Sequence, residues 1–394
     1  MNRSDFVPQI PYGTRDFLPR DAKYKREIES ALATVFSRWG YDEVVTPTFE
    51  YLDTLTIGVG GDMQKNMFKF LDKNNRILAL RPDMTAPIAR MAATRFKQEP
   101  WPLRLFYQTN IFRYEQAQAG RQCEFYQAGV ELLGVPGPGA DAEVIALAVE
   151  AMREAGLTQF QISLGQVGFI HGLMEECSLD AEQRQQYKHY MVSRNLVGIE
   201  ELLSGSQMSE QTRQMLKEIP VLHGKEDVLC KAYAMTNNET SRSALDNLAE
   251  IHRLLDSYGV AGYVNFDLGL IRDFDYYTGM VFEGYTPGLG FPLCGGGRYD
   301  GMLTSFGMDC PATGFALGIE RLLLAMERQG LKTASQEREF FIGWQDGKLA
   351  DAISKAGELR RKGYSVELSL SAQTRDQAEA TRTHKGFSQL VYCE

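Results

Sequence analysis

Much of what would place a protein quickly is missing from this 394-residue chain. No apolar run approaches the ~20 residues that cross a bilayer, so no membrane-spanning helix is expected. The opening residues, MNRSDFVPQIPYGTRDFLPRD, hold no apolar core region, so no secretory signal peptide is expected either. The six cysteines, Cys123, Cys177, Cys230, Cys294, Cys310 and Cys393, are scattered, with no C-x-x-C pair. That spacing argues against a zinc site and against a disulfide framework, and it suits a reducing cytosol. A cytoplasmic protein with no metal and no cofactor is the expectation. The five histidines stand apart from one another and read as structural or surface residues. Both glycine-rich phosphate signatures, G-x-x-x-x-G-K-[ST] and G-x-G-x-x-G, are absent, and the run CGGGRYDG reads as a tight turn. A formal charge of −9 disfavours the broad basic surface of a nucleic-acid binder. Repeats and low-complexity segments are absent too.

What is present is ordinary globular material, 44% hydrophobic and 24% charged, long enough for two or three domains. Residues 21–39 read as an amphipathic helix with Ile28, Leu32, Val35, Phe36 and Trp39 on one face, ended by Gly40. That face is expected to lie at a homodimer interface. YDEVVTPTFE reads as a strand broken at Pro47. MFKFLDKNNRILALR reads as a hairpin around Asp72–Asn75. LRLFYQTNIFRY and EFYQAGVELLG read as antiparallel neighbours. A helix follows from about Asp141, its expected N-cap, to Ala155. From residue 165 to 259 the pattern is helical and polar, with Leu248, Ile251, Leu255 and Tyr258 as one apolar stripe. Strands resume at Tyr263, and the chain closes on a βαβαβ pattern that predicts parallel strands. The domain reading is 1–164 with 260–330, a helical insertion at 165–259, and a short α/β unit at 338–394.

Four clusters set polar groups on strand-like or helix-start positions. They are LRPDMTA with Arg81, Asp83 and Thr85; FRYEQAQAGRQCEFYQAGVE with Arg113, Glu115, Arg121, Gln127 and Glu131; LGLIRDFDYYTGMVFEGY with Arg272, Asp275, Tyr276 and Tyr277; and Arg321 at the start of a helix. Period-two alternation puts Gln127, Gly129 and Glu131 on one face. An ionised glutamate among apolar strands is costly unless paired. A small zwitterion would pair it: its ammonium suits carboxylates and neutral oxygens, and its carboxylate suits an arginine fork. Taken singly, each of these residues is more readily accounted for as a cross-strand partner.

As an ordered set they resemble a known family. EVVTPTFE, FRYEQAQAGRQCEFYQAGVELLG and GFALGIERLLLA look like motifs 1, 2 and 3 of class II aminoacyl-tRNA synthetases. GTRDFLP, LRPDMTA, RDFDYYTGMVFEGY and GGGRYDG resemble pieces peculiar to histidyl-tRNA synthetase. The resemblance implies an α+β fold: an antiparallel sheet with flanking helices, a helical insertion and a small C-terminal α/β unit. It implies a histidine pocket. Asp83, Thr85 and Gln127 would meet the α-amino end, Arg272 the carboxylate, and Glu131 and Tyr277 the imidazole, with Tyr276 alongside. Arg113 would border this pocket and, with Arg121 and Arg321, contact phosphate or another anion.

Departures from the synthetase pattern point to a branch of that family. Asp83 stands where the synthetase has glutamate, Asp273-Phe274 where it has Gly-Leu, and Thr278-Gly279 near its Asn-Arg. The loop QAQAGRQCE is nearly neutral, and only three strands follow residue 337. These features resemble the synthetase-like regulatory subunit of ATP phosphoribosyltransferase. That resemblance implies a chain with no catalytic residues of its own, which activates a short catalytic subunit and relays inhibition by histidine. It implies a homodimer core inside a hetero-oligomer. The alternatives are a working histidyl-tRNA synthetase with a reduced C-terminal domain, and an amino-acid-activating or binding paralogue that acts without tRNA.

Overall fold

The computed structural model of the chain describes residues 8–114, 122–177, 179–205, 208–272, 276–331 and 338–394. They fall into two compact units, one within Met1–Phe17 and Lys25–Lys332, the other within Leu18–Tyr24 and Thr333–Glu394.

The first unit is built on a nine-stranded sheet. Its spatial order is Asp42–Glu43, Leu103–Phe112, Glu124–Leu133, Ala312–Gly318, Cys294–Arg298, Met280–Tyr285, Gln161–Gln166, Val264–Asp267 and His223–Gly224. The pairings are antiparallel except Asp42–Glu43 on Leu103–Phe112, and Gln161–Gln166 on Val264–Asp267. The sequence CGGGR is therefore a central strand and not the tight turn its glycines suggest. Its neighbours explain why it lacks side chains, as shown below.

The first helix, Pro19–Arg38, has the expected period, and Gly40 at φ +78° ends it. Its apolar face is not left for another subunit. Ile28, Leu32, Val35 and Phe36 are buried within the chain, and Phe36 packs on Phe106 and Phe315 at 5.5 and 6.1 Å between ring centroids. The segment interrupted by Pro47 splits between sheets. Asp42–Glu43 joins the large sheet, while Phe49–Tyr51 joins a three-stranded antiparallel sheet with Ile77–Leu80 and Lys69–Leu71.

The helix Pro138–Glu154 starts three residues earlier than expected, with Gly137 at its N-cap and proline at its first position. Asp141 is no cap. It is buried, and its carboxylate pairs with Arg298 at 2.9 Å. Residues 167–257 supply the helices Val167–Glu176, Ala181–Val192, Leu196–Ser204, Glu210–Glu218, Asp227–Met235 and Glu239–Ser257. Leu248, Ile251 and Leu255 form the buried stripe of the last one. Tyr258 does not continue that stripe: it lies past the helix end, is exposed, and stacks on Trp39. Arg194 of this region reaches Asp267, at the end of a sheet strand, at 2.9 Å.

The second unit carries a parallel sheet with Arg338–Trp344 between Val366–Leu368 and Phe387–Cys393. The connecting helices are Leu349–Arg361 and Arg375–Lys385. Thr374 and Gln377 form a capping box at the start of the latter, and Gly386 at φ +72° ends it.

Candidate ligand-binding site

The sheet register paves a floor. Glu131 lies opposite Gly314, which lies opposite Gly297. In the next row on the same face, Tyr107 lies opposite Gly129, then Ala316, Gly295 and Glu283. Side chains from other segments occupy the space the glycines leave. A Cβ on Gly314 would stand 2.0 Å from Glu131 Oε2, and one on Gly297 2.8 Å from the Tyr277 ring. A Cβ on Gly295 would stand 1.7 Å from Arg272 Nη1. The glycine run is thus a seat for an arginine, a tyrosine and a carboxyl group.

Above this floor is a cavity of about 90 Å³. Its lining includes Asp83, Thr85, Arg113, Gln127, Glu131, Arg272, Tyr276, Tyr277 and Arg321, so nine of the ten residues that the family resemblance assigns to the site are brought together, while Arg81 is held elsewhere by the Thr46, Pro47 and Asn110 carbonyls. The tenth, Arg121, lies outside the described residues, as do Glu115 and Asp273–Asp275. Asp83 and Thr85 are not on a strand. The strand Ile77–Leu80 ends before them, and the helix Thr85–Arg95 begins at Thr85. Asp83 Oδ1 accepts the Thr85 amide at 3.0 Å, which satisfies a free donor at the helix start. Arg113 donates through Nε to the Pro82 carbonyl at 2.8 Å. Arg321 donates to the Pro292 carbonyl at 2.7 Å and lies over the Phe291 ring.

Glu131 is a buried ionisable group of this cavity. Thr85 Oγ1 donates to its Oε1 at 3.2 Å, and the Tyr299 hydroxyl donates to its Oε2. Burial nevertheless pushes its carboxyl up to about 8, with the nearby Asp83 acting in the same direction. Burial also raises Asp83, against the pull of Arg113. Tyr276, Tyr277, Tyr299 and Tyr107 are all raised by burial, so each keeps its hydroxyl proton. Burial pushes the Cys294 thiol up to about 12, which leaves no thiolate for chemistry. Tyr276 packs on Tyr277 and Tyr299 at 4.7 and 5.7 Å between centroids.

Among the described residues, two buried side-chain atoms in this cavity's walls make no hydrogen bond: Asp83 Oδ2, an acceptor, and Arg272 Nε, a donor. Such groups are costly to bury alone. Sequence reasoning missed Tyr107, Tyr299 and Glu283. Tyr299 sits inside GGGRYDG, where the glycines are the stronger local signal. Among the described residues no group of three or more His, Cys, Asp or Glu could hold a metal ion, and no helix is long and apolar enough to cross a membrane.

Residues 13–322 match the family model described as Histidyl-tRNA synthetase, which fits the class II fold. The regulatory subunit of ATP phosphoribosyltransferase from Moorella thermoacetica is 43% identical, over 98% of each chain. That from Desulforamulus reducens is 42% identical, over 100% of this chain and 97% of its own. A crystal structure from Bacillus halodurans, described as an ATP phosphoribosyltransferase regulatory subunit/histidyl-tRNA synthetase, is similar over 98% of both chains, with 35% identity and a TM-score of 0.89. The chain belongs to the family of ATP phosphoribosyltransferase regulatory subunits, a branch of the histidyl-tRNA synthetase-like fold.

Proposed function

We propose that the chain works in the cytoplasm as the non-catalytic partner of a separate, short ATP phosphoribosyltransferase subunit, and that the cavity is its histidine sensor. Family membership supports the first part. The second rests on one observation: an unsatisfied buried acceptor and an unsatisfied buried donor share one small cavity. A free α-amino acid carries both complements. Its ammonium would take Asp83 Oδ2, with Thr85 and Gln127 beside it, and its carboxylate the open edge of Arg272. Glu131 and Tyr277 would meet the imidazole, with Tyr276 against its face. In this reading 1–164 with 260–330 carry the sensor, 165–259 is an insertion, and 338–394 is an accessory unit.

The test is direct. Adding the chain to the catalytic subunit should raise its turnover, and histidine should reverse the gain. Calorimetry on the chain alone should show histidine binding. ATP–pyrophosphate exchange with histidine should be absent, because the chain is read as a binder; robust exchange would support a synthetase instead. An unchanged rate on mixing would overturn the regulatory reading.

A further inference from the structure

Glu283 takes no part in the ligand contacts proposed above, yet it holds the residue assigned to the carboxylate. Arg272 Nη1 and Glu283 Oε1 are 2.8 Å apart, with side chains only 16% and 15% exposed. The Tyr285 hydroxyl donates to the other Glu283 oxygen. A guanidinium does not escape burial by losing its proton, so an unpaired Arg272 would be strongly unfavourable here. The sheet builds the pair in: Glu283 is registered opposite Gly295, and the missing Gly295 side chain is the space the guanidinium fills. Among the described residues Arg272 Nε has no hydrogen-bond partner.

We propose that Glu283 is an internal counter-ion that stands in for a ligand carboxylate at Arg272 and limits the preference for an α-carboxylate over a neutral end group. The inference rests on the reading of the cavity as a histidine site. An arriving carboxylate must share Arg272 with Glu283. Two anions then flank one cation in a poorly hydrated site, and their repulsion cancels part of the attraction. A ligand ending in a neutral amide meets no such repulsion. Glu283 is therefore a positioning residue that acts through Arg272, and it holds carboxylate affinity below what a free guanidinium would give.

The experiment is calorimetric titration of the full chain with L-histidine and with L-histidinamide, for wild type, Glu283→Gln and Tyr285→Phe. Glu283→Gln should tighten histidine about ten-fold, the scale of one charge-assisted contact, and leave histidinamide nearly unchanged. Tyr285→Phe removes the hydroxyl that shares the Glu283 charge. It should weaken histidine by a few-fold, about the scale of one hydrogen bond, without moving histidinamide. An equal change for both ligands in Glu283→Gln would reduce Glu283 to a structural role and overturn the proposal. Should Glu283→Gln fail to fold, unchanged histidine affinity in Tyr285→Phe would overturn it equally. Wild-type protein that binds neither ligand would sink the histidine reading itself; wild-type binding with no ligand-selective change in the variants sinks only the counter-ion.

Discussion

Tyr299 donates its hydroxyl hydrogen to Glu131, and Thr85 donates to the other oxygen of the same carboxyl group. Both donors suit a carboxylate, yet burial outweighs them and leaves the group poised to hold or lose a proton near neutral pH. A bound ligand with a donor for Glu131 would tip that balance towards the carboxylate.

Glu131→Ala is expected to weaken histidine binding by about 1.5–3 kcal/mol, the range for a hydrogen bond to a charged group. Activation of the catalytic subunit should survive, because the cavity is inside the sheet domain and a partner must dock on its surface. The check is the activated rate against histidine concentration. Inhibition at the wild-type concentration in the variant would show that this cavity is not the sensor.

The ligand-free protein should lose stability as pH rises. The Glu131 carboxyl is raised from 4.5 to about 8 on folding, so the native state binds the proton more tightly than the unfolded chain. Its contribution is complete below pH 4.5 and is lost as pH climbs through 8. Asp83 is raised too and acts with the same sign. The urea midpoint should therefore fall across this window, and Glu131→Gln should flatten the fall. A variant slope equal to the wild-type slope would count against the raised carboxyl.

Gly314→Ala should both destabilise the chain and abolish ligand binding. Its Cβ would stand 2.0 Å from Glu131 Oε2 and 2.4 Å from the Val130 carbonyl, and backbone cannot move aside cheaply. Overpacking of this kind costs about 1–3 kcal/mol. Gly301→Ala is the control, since nothing lies within 4 Å of its Cβ position. Denaturant midpoints for the two variants should separate clearly.

Asp141→Asn should be among the most destabilising single changes in the first unit. Arg298 is bound by Asp141, by Asp300 at 2.9 Å and by the Val135 and Gly137 carbonyls, all at the end of the glycine strand. Breaking a buried pair from one side typically costs about 3–5 kcal/mol. A loss below about 1 kcal/mol in equilibrium unfolding, the scale of an exposed pair, would contradict this.

The homodimer that the family resemblance implies should use the three-stranded sheet. Phe49 and Phe70 pack edge to face at 5.8 Å on one of its faces, with Tyr51 on the same side, and they remain 50% and 41% exposed. Exposed apolar surface of this kind marks an interaction site. Light scattering at micromolar concentration should give a dimer for wild type and a monomer for Phe70→Glu. A monomeric wild type would overturn the homodimer core.

The residues of the cavity were legible because alternation and charge are local signals. Gln127, Gly129 and Glu131 share a face as their spacing required, and the hairpin of Leu103–Phe112 with Glu124–Leu133 follows from two periodic runs. The glycine strand was not legible. A strand without side chains makes sense only once Arg272, Tyr277 and Glu131 are known to lie across it, and that is tertiary information. Asp141 misled for a related reason: an aspartate near a helix start reads as a cap, and only the fold brings Arg298 to it. The first helix showed its apolar face but not its cover, since periodicity says that a face is buried and not by which chain.

The hydrogen bond between Tyr299 and Glu131 spans 168 positions, and Gly314 must also be in place beneath it. Closing so long a loop costs entropy that only the finished sheet returns. During synthesis the first half of the chain, emerging with Asp83, Thr85 and Glu131, has nothing to grip with. On the proposed reading, a nascent chain is therefore blind to histidine until the strand Ala312–Gly318 has left the ribosome.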